Sequence, residues 1–298
     1  MRVSRYDAYT MAVRMQPRGY SLVRALSPGP AFATWLVRRD VDGAACVVKR
    51  AARAEKEAEA SLAREAEILH VLRGARGAAP ALAERGADAD GPFLVMRQLT
   101  WETLAASPPP SSPLPADAAF RLRATRALFA ALAAIHEATD ARGPCAIVHG
   151  DVAPTNAYVD PNGNAAAFAD FGLARYRAVD PAGNTVQRGP PEDGAFRGTL
   201  LYAAPELARG ERGVDARCDL FALAASILHA ITGVAPRRAP SFAALIAEAA
   251  EDPVTAYDAW APSLFPPKVA RALLACLAFD SASRPARARD LFVVIDSA

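Results

Sequence analysis

Three short, largely apolar runs open the patterned part of the chain: Tyr20–Leu26, which alternates loosely, Ala33–Arg38 and Ala44–Lys49. Each reads as a strand, and Asp40–Gly43 supplies a turn between the second and third. The period then lengthens. From Ala51 to Leu72, good helix formers carry apolar residues at Leu62, Ala66, Leu69 and Leu72, which predicts an amphipathic helix. Pro92–Gln98 reads as a buried strand, whereas Pro80–Asp90 resolves into no single element. Ser107–Pro115 holds five prolines and predicts an extended surface connector. Helical periods dominate afterwards. Ala116–Glu137 is apolar at Phe120, Ala124, Ala127, Leu128, Ala131, Leu132 and Ile135, and Asp215–Gly233 is apolar nearly all round, the mark of a central buried helix. Ser241–Ala250, Pro267–Phe279 and Pro285–Ile295 predict further helices. Met1–Gly19 shows no period and reads as an extension.

Between the two long helical patterns lies the stretch that carries chemistry, His149 to Gly172. Ile147-Val148 reads as a short strand leading into it. Ala157–Val159 and Ala165–Ala169 are short apolar runs, and Asp160-Pro161-Asn162-Gly163-Asn164 between them is a cluster of turn formers. That is a hairpin signal, since Pro presets φ while Gly and Asn tolerate positive φ. Asn156 stands just before the first strand and Asp170 just after the second, so closing the hairpin brings both to its open end. An amide oxygen beside a carboxylate suits a hard cation such as Mg²⁺, which takes few protein ligands and keeps phosphate and water as the rest. Asp151, on the loop into that end, is placed to act as a base. The plain alternative is a turn Asp and an Asx-turn Asn bracketing an ordinary hairpin.

Composition narrows the setting. With 52% hydrophobic residues over 298 positions the chain can bury a large core. Lys+Arg number 34 and Asp+Glu 32, and this balance gives no sign of a nucleic-acid or acidic-membrane partner. Cys46, Cys145, Cys218 and Cys276 are widely spaced without C-x-x-C, as expected of buried thiols in a reduced compartment. The N-terminus lacks the continuous apolar core of a signal peptide, and the longest apolar stretch, Leu220–Ala235, carries His229 and is short for a membrane span. The expectation is a cytoplasmic protein with no membrane span. Only three of the 34 basic residues are lysines, Lys49, Lys56 and Lys268. In a chain that writes arginine so heavily, a lysine at the end of the third strand stands out as a compact point charge. Arginine bias with abundant alanine points to a bacterial source.

His149-Gly150-Asp151 followed by Asn156, then Asp170-Phe171-Gly172, resembles the catalytic and metal loops of the eukaryotic-type protein kinases. The resemblance runs in order over about residues 20–295. Cys46-Val47-Val48-Lys49 is similar to the family's third strand, and Arg64-Glu65-Ala66-Glu67 to the helix whose Glu, here Glu65 by register, pairs with that lysine. Gly198-Thr199-Leu200-Leu201-Tyr202-Ala203-Ala204-Pro205-Glu206 resembles the peptide-docking end of the activation segment, with Thr199 fitting the Ser/Thr branch. Arg284 resembles the late arginine that pairs with Glu206, and Asp219 the carboxylate that accepts from catalytic-loop amides, although helix capping alone would explain it.

The resemblance implies an α+β, two-lobed fold: an extension (1–19), a small antiparallel-sheet lobe with one helix and a hinge (20–99), and a mainly helical lobe (100–298). It implies an enzyme that transfers the γ-phosphate of ATP to Ser/Thr hydroxyls of proteins, its own included. Lys49 would hold the α- and β-phosphates, Asp151 would accept the hydroxyl proton, and Asn156 and Asp170 would hold Mg²⁺. Met96 would stand beside the adenine, with Arg97–Leu99 as the hinge that binds it through backbone groups. Three departures matter. Of the three glycines in the nucleotide-covering loop only Gly29 is present, with Ser27 and Phe32 in the other places. Gly150 replaces an arginine, which makes control by activation-loop phosphorylation less expected. Ala153 replaces a γ-phosphate lysine. A pseudokinase scaffold and a small-molecule phosphotransferase of the aminoglycoside-kinase type, which also uses H-G-D, are the alternatives.

Overall fold

The computed structural model describes residues 17–28, 31–51, 55–75, 77–105, 117–180, 182–191, 193 and 196–297. Gly29 and the proline-rich connector lie outside these residues, as does most of the N-terminal extension. The chain forms two compact units, one of residues up to Arg73 with Pro80–Thr100, the other of Gly74–Ala79 with Trp101 onward.

Among the described residues, the first unit is an antiparallel sheet with one helix. Strands β1 (Tyr20–Pro28), β2 (Phe32–Arg39) and β3 (Ala45–Ala51) follow the three predicted runs, and helix α1 (Lys56–Val71) comes next. The helix starts later than its period predicts because Ala51 stays in β3, paired with Phe32. The unassigned stretch becomes β4 (Leu82–Asp88), which pairs with β5 (Gly91–Arg97) to give the order β1-β2-β3-β5-β4. Its pattern was illegible because β4 is an edge strand with largely exposed side chains. One sheet face buries Tyr20, Trp35, Val37, Cys46, Val48, Phe93 and Val95 together. On β3, Arg50 is fully buried and forks onto Asp88 at 2.6 and 2.7 Å, tying the β4–β5 turn to the sheet.

The second unit is mainly helical. After the short strand β6 (Glu102–Thr103), helix α2 (Ala118–His136) is capped by Asp117, whose carboxylate accepts from the amides of Ala119 and Phe120. The link that follows folds into a small hairpin, β7 (Thr139–Asp140) and β8 (Gly143–Pro144). Ile147-Val148 forms no strand of its own. Val148 makes a single bridge with Arg175, exchanging two backbone bonds of 2.8 Å. Strands β9 (Ala157–Val159) and β10 (Ala166–Phe168) close the expected hairpin. The segment after Asp170 carries a hairpin that its Gly/Pro/polar composition concealed: β11 (Tyr176–Val179) and β12 (Thr185–Arg188). Asp180 organises its turn by accepting from the Asn184 amide at 2.8 Å.

Helices α3 (Pro205–Ala208), α4 (Arg217–Thr232), α5 (Phe242–Glu251), α6 (Ala261–Leu264), α7 (Pro267–Cys276) and α8 (Ala288–Asp296) complete the unit. As its all-round apolar pattern predicts, α4 is buried almost throughout and ends at Gly233 in the left-handed region, φ +67°. All four cysteines are free and buried. Among the described residues, no helix is long and apolar enough to cross a membrane.

Candidate active site

In the first unit, the register of β2 on β3 sets Thr34 opposite Lys49 and Phe32 opposite Ala51. Lys49 is 5% exposed, and its ammonium donates to Glu65 at 2.7 Å. Glu65, rather than Glu67, is the partner because it shares the buried face of α1 with Leu62, Ala66 and Leu69. The ring of Phe32 lies over the same ammonium, its centroid 4.6 Å away. Met96 is buried in β5 between Val47 and Leu82. Beyond it, the amide of Arg97 donates to Ala81 and that of Gln98 to Ala45. The amide of Leu99 makes no such bond among the described residues.

In the second unit, the β9–β10 register pairs Ala157 with Phe168, and the amide of Ala169 donates to the carbonyl of Asn156 at 2.9 Å. Asn156 and Asp170 therefore flank one end of the hairpin. Asp170 has φ +68°, a left-handed conformation uncommon outside glycine and typical of held functional positions. The Asn156 amide nitrogen donates to the Asp151 carbonyl at 3.0 Å and its carboxylate at 3.3 Å. Because that nitrogen must face acceptors, the amide oxygen is turned away from Asp151. An oriented amide oxygen and a carboxylate at one hairpin end form a donor set that fits Mg²⁺, a hard cation content with two protein ligands. Asp151 also accepts from the backbone amide of Thr199 at 2.7 Å. That approach depends on Gly198: its φ is +114°, and a Cβ there would lie 3.0 Å from the Asp151 carboxylate.

The loop that begins at His149 rests on Asp219. This carboxylate, 1% exposed, caps no helix; it accepts from the amides of His149 at 2.7 Å and Gly150 at 2.9 Å, and from His136 Nε2 at 2.9 Å. Burial alone would raise its pKa, but the contact with His136, the charges of His136 and His149 and the Gly150 amide outweigh it and hold the carboxyl below the ordinary range. His149 itself is packed, with its ring 4.7 Å from Phe171 and Nε2 at 3.2 Å from the Ala169 carbonyl. Gly150 has φ +75°, and a Cβ would meet the Leu173 carbonyl at 3.0 Å, so the loop has no place for the arginine it lacks.

Farther along, Glu206 and Arg284 form a buried fork of 2.6 and 2.8 Å. Nearby, the Tyr202 hydroxyl and Nδ1 of His229 share a hydrogen bond of 2.7 Å, and the buried Arg237 donates to the carbonyls of Leu201 and Ala203 at 3.2 and 2.9 Å. His136, Gly198, His229 and Arg237 were not singled out from the sequence as partners of this region. The signal for Gly198 was its place in the G-T string; for the other three the partner lies at least 27 residues away, and no local pattern marks the pairing.

Comparison with known proteins agrees with this geometry. A family model described as the protein kinase domain matches residues 33–292. Tyrosine-protein kinase MasK of Myxococcus xanthus is 38% identical over 125 residues, 42% of this chain and 17% of that protein. Serine/threonine-protein kinase PknD of Mycobacterium tuberculosis is 34% identical over 164 residues, 55% of this chain and 23% of its own. PknB of Mycolicibacterium smegmatis, another serine/threonine-protein kinase, is 41% identical over 90 residues, 30% of this chain and 13% of its own. The alignments thus span less than a quarter of each of these relatives. A sheet with one helix, a mainly helical second unit, and a match over most of the length lead to one conclusion: the chain belongs to the protein kinase domain family.

Proposed function

We propose that this chain is an ATP-dependent protein kinase that transfers the γ-phosphate to Ser/Thr hydroxyls of proteins. The observation that carries the reading is the Asp151–Asn156 pair: a half-buried carboxylate with acceptor capacity left, beside an amide whose oxygen is oriented by its own nitrogen. Asp151 is the base that receives the substrate hydroxyl proton, and its bond from the Thr199 amide fixes its direction. Asn156 and Asp170 are the residues for Mg²⁺, which when bound neutralises charge on the phosphate oxygens. Lys49, oriented by Glu65, binds the α- and β-phosphates, and the Leu99 amide is the hinge donor for adenine, with the Arg97 carbonyl and Met96 beside it. In this assignment residues 20–99 are the nucleotide-covering lobe and hinge, 100–298 carry the catalytic loop and docking segment, and 1–19 are an extension. The protein works inside the cell.

The test is a transfer assay with radiolabelled ATP, Mg²⁺ and a generic protein substrate, run on wild type, Asp151→Asn and Lys49→Met, followed by phospho-residue analysis. Label on Ser or Thr that is lost in both variants supports the assignment. Label on Tyr moves the chain to the specificity that the name of the Myxococcus relative carries. A second reading, a nucleotide-binding scaffold without turnover, is favoured by Ala153 and by the Phe32 ring on Lys49. It predicts nucleotide binding with no label on any substrate.

A further inference from the structure

Phe32 stands where a glycine would let backbone approach phosphate, and what it does there is visible in the first unit alone. Residues opposite each other on antiparallel strands point to the same face, and so do residues two apart on one strand. With Thr34 opposite Lys49 and Phe32 opposite Ala51, Phe32 and Lys49 share a face on a diagonal. The result is a half-buried aromatic ring 4.6 Å from an ammonium that Glu65 holds from another side at 2.7 Å. A ring face attracts a cation, and the attraction grows as water is excluded. Here the cation is 5% exposed.

We propose that Phe32 is an affinity-setting gate on Lys49: its ring covers the ammonium in the nucleotide-free protein and must leave before a nucleotide phosphate can pair with that charge. The proposal rests on the assignment of Lys49 as the phosphate-binding residue. Two consequences follow. Without the ring, Lys49 is more accessible, and nucleotide no longer competes with the ring for its charge, while the bond to Glu65 stays in place. Removing the ring should therefore tighten Mg²⁺-nucleotide binding by roughly two- to thirtyfold, the span of a cation–π contact from exposed to desolvated. Phe32→Leu, which keeps bulk but loses the π face, should fall between wild type and Phe32→Gly.

The experiment has two arms on the full chain. In the first, the protein is acetylated with an amine-reactive ester without nucleotide, and modification is read by mass spectrometry. The chain has three lysines, and exposed Lys56 and Lys268 serve as internal references. In the second, Mg²⁺-ADP and Mg²⁺-ATP are titrated calorimetrically into wild type, Phe32→Leu and Phe32→Gly, with Lys49→Met as the control. Faster acetylation of Lys49 in Phe32→Gly together with tighter binding supports the gate. Unchanged acetylation overturns it, because the contact is then absent in solution. Faster acetylation with equal or weaker binding also overturns it. No nucleotide binding by wild type removes the assignment of Lys49 itself and the gate with it, an outcome told apart by the behaviour of wild type alone. If Phe32→Gly fails to fold, Phe32→Leu carries both arms with the same signs.

Discussion

Asp219 and Asp151 lie in the same unit, each near the catalytic loop, and they are held in opposite ways. Asp219 is fully buried, and four donors converge on it: the amides of His149 and Gly150, His136 Nε2, and more distantly the Cys218 thiol at 3.8 Å. A carboxylate has about four lone-pair sites, so its capacity is filled. Asp151 is half-buried and has one firm donor, the Thr199 amide at 2.7 Å, and one slack donor, Asn156 at 3.3 Å. The lesson is that a carboxylate saturated by backbone amides sets geometry, whereas one left partly unsatisfied can take a proton. Asp219 is the floor of the site and Asp151 its rim.

The strongest way to break the contrast is Asp219→Ala. It leaves two buried amides and a histidine without an acceptor, and should cost about 3–5 kcal/mol of stability. Urea unfolding measures it, and a loss below about 1 kcal/mol would mean that the loop is held some other way. Asp151→Asn should do the reverse. It should reduce phosphoryl transfer by roughly 10²–10⁴-fold while the urea midpoint hardly moves. Large destabilisation by this variant would erase the distinction between rim and floor.

Gly198→Ala tests the rim from the backbone side. A methyl group 3.0 Å from the Asp151 carboxylate at φ +114° should cost about 1–3 kcal/mol of local strain, read as lower transfer activity and lower thermal stability. A variant with wild-type activity would show that the Thr199 amide does not position Asp151.

The smallest effect is one of pH. Burial holds the pKa of His229 below its ordinary value and raises that of Tyr202 to about 12. A histidine whose folded pKa is depressed takes up its proton more readily when unfolded. Its contribution is therefore complete above about pH 6.5 and is lost as pH falls through the ordinary histidine range toward the folded pKa. A protonated Nδ1 can only donate, so the Tyr202 hydroxyl, which lies in the same segment as Thr199, would have to turn to accept from it. Asp219 behaves differently: its depressed pKa means that its stabilising charge is complete above about pH 4 and is lost only as pH falls below that. Between pH 7.5 and 5.5 the rim should loosen while the floor holds. Urea midpoints should fall over that range in wild type and less in His229→Gln; identical slopes would assign the pH effect elsewhere.

Much of the site was legible in the chain itself, for physical reasons. The hairpin of β9 and β10 is written in local turn chemistry, so the convergence of Asn156 and Asp170 could be read from spacing. The choice of Glu65 over Glu67 follows from helix periodicity, and the buried α4 from an apolar pattern with no polar face. Other features were not legible. The hairpin Tyr176–Arg188 lies in a polar segment whose order comes from an Asp180 turn and a bridge to Val148. The edge strand β4 carries no clean alternation, since most of its side chains face solvent.

By itself, then, the sequence determined the order of strands and helices, the hairpin that gathers the Asn156 and Asp170 side chains at one end, and the residue types available for phosphoryl transfer. These depend on periodicity and turn preferences, which act over a few residues. Only the tertiary structure decided which acceptors are filled and which are left. Asp219 could have been a helix cap, and it became the acceptor for a loop 69 and 70 residues away. Phe32 read as a bulky misfit in a loop, and strand register turned it into a ring over Lys49. Hydrogen-bond saturation and ring–cation contact are short-range forces between residues distant in sequence, and only the folded chain specifies those neighbours.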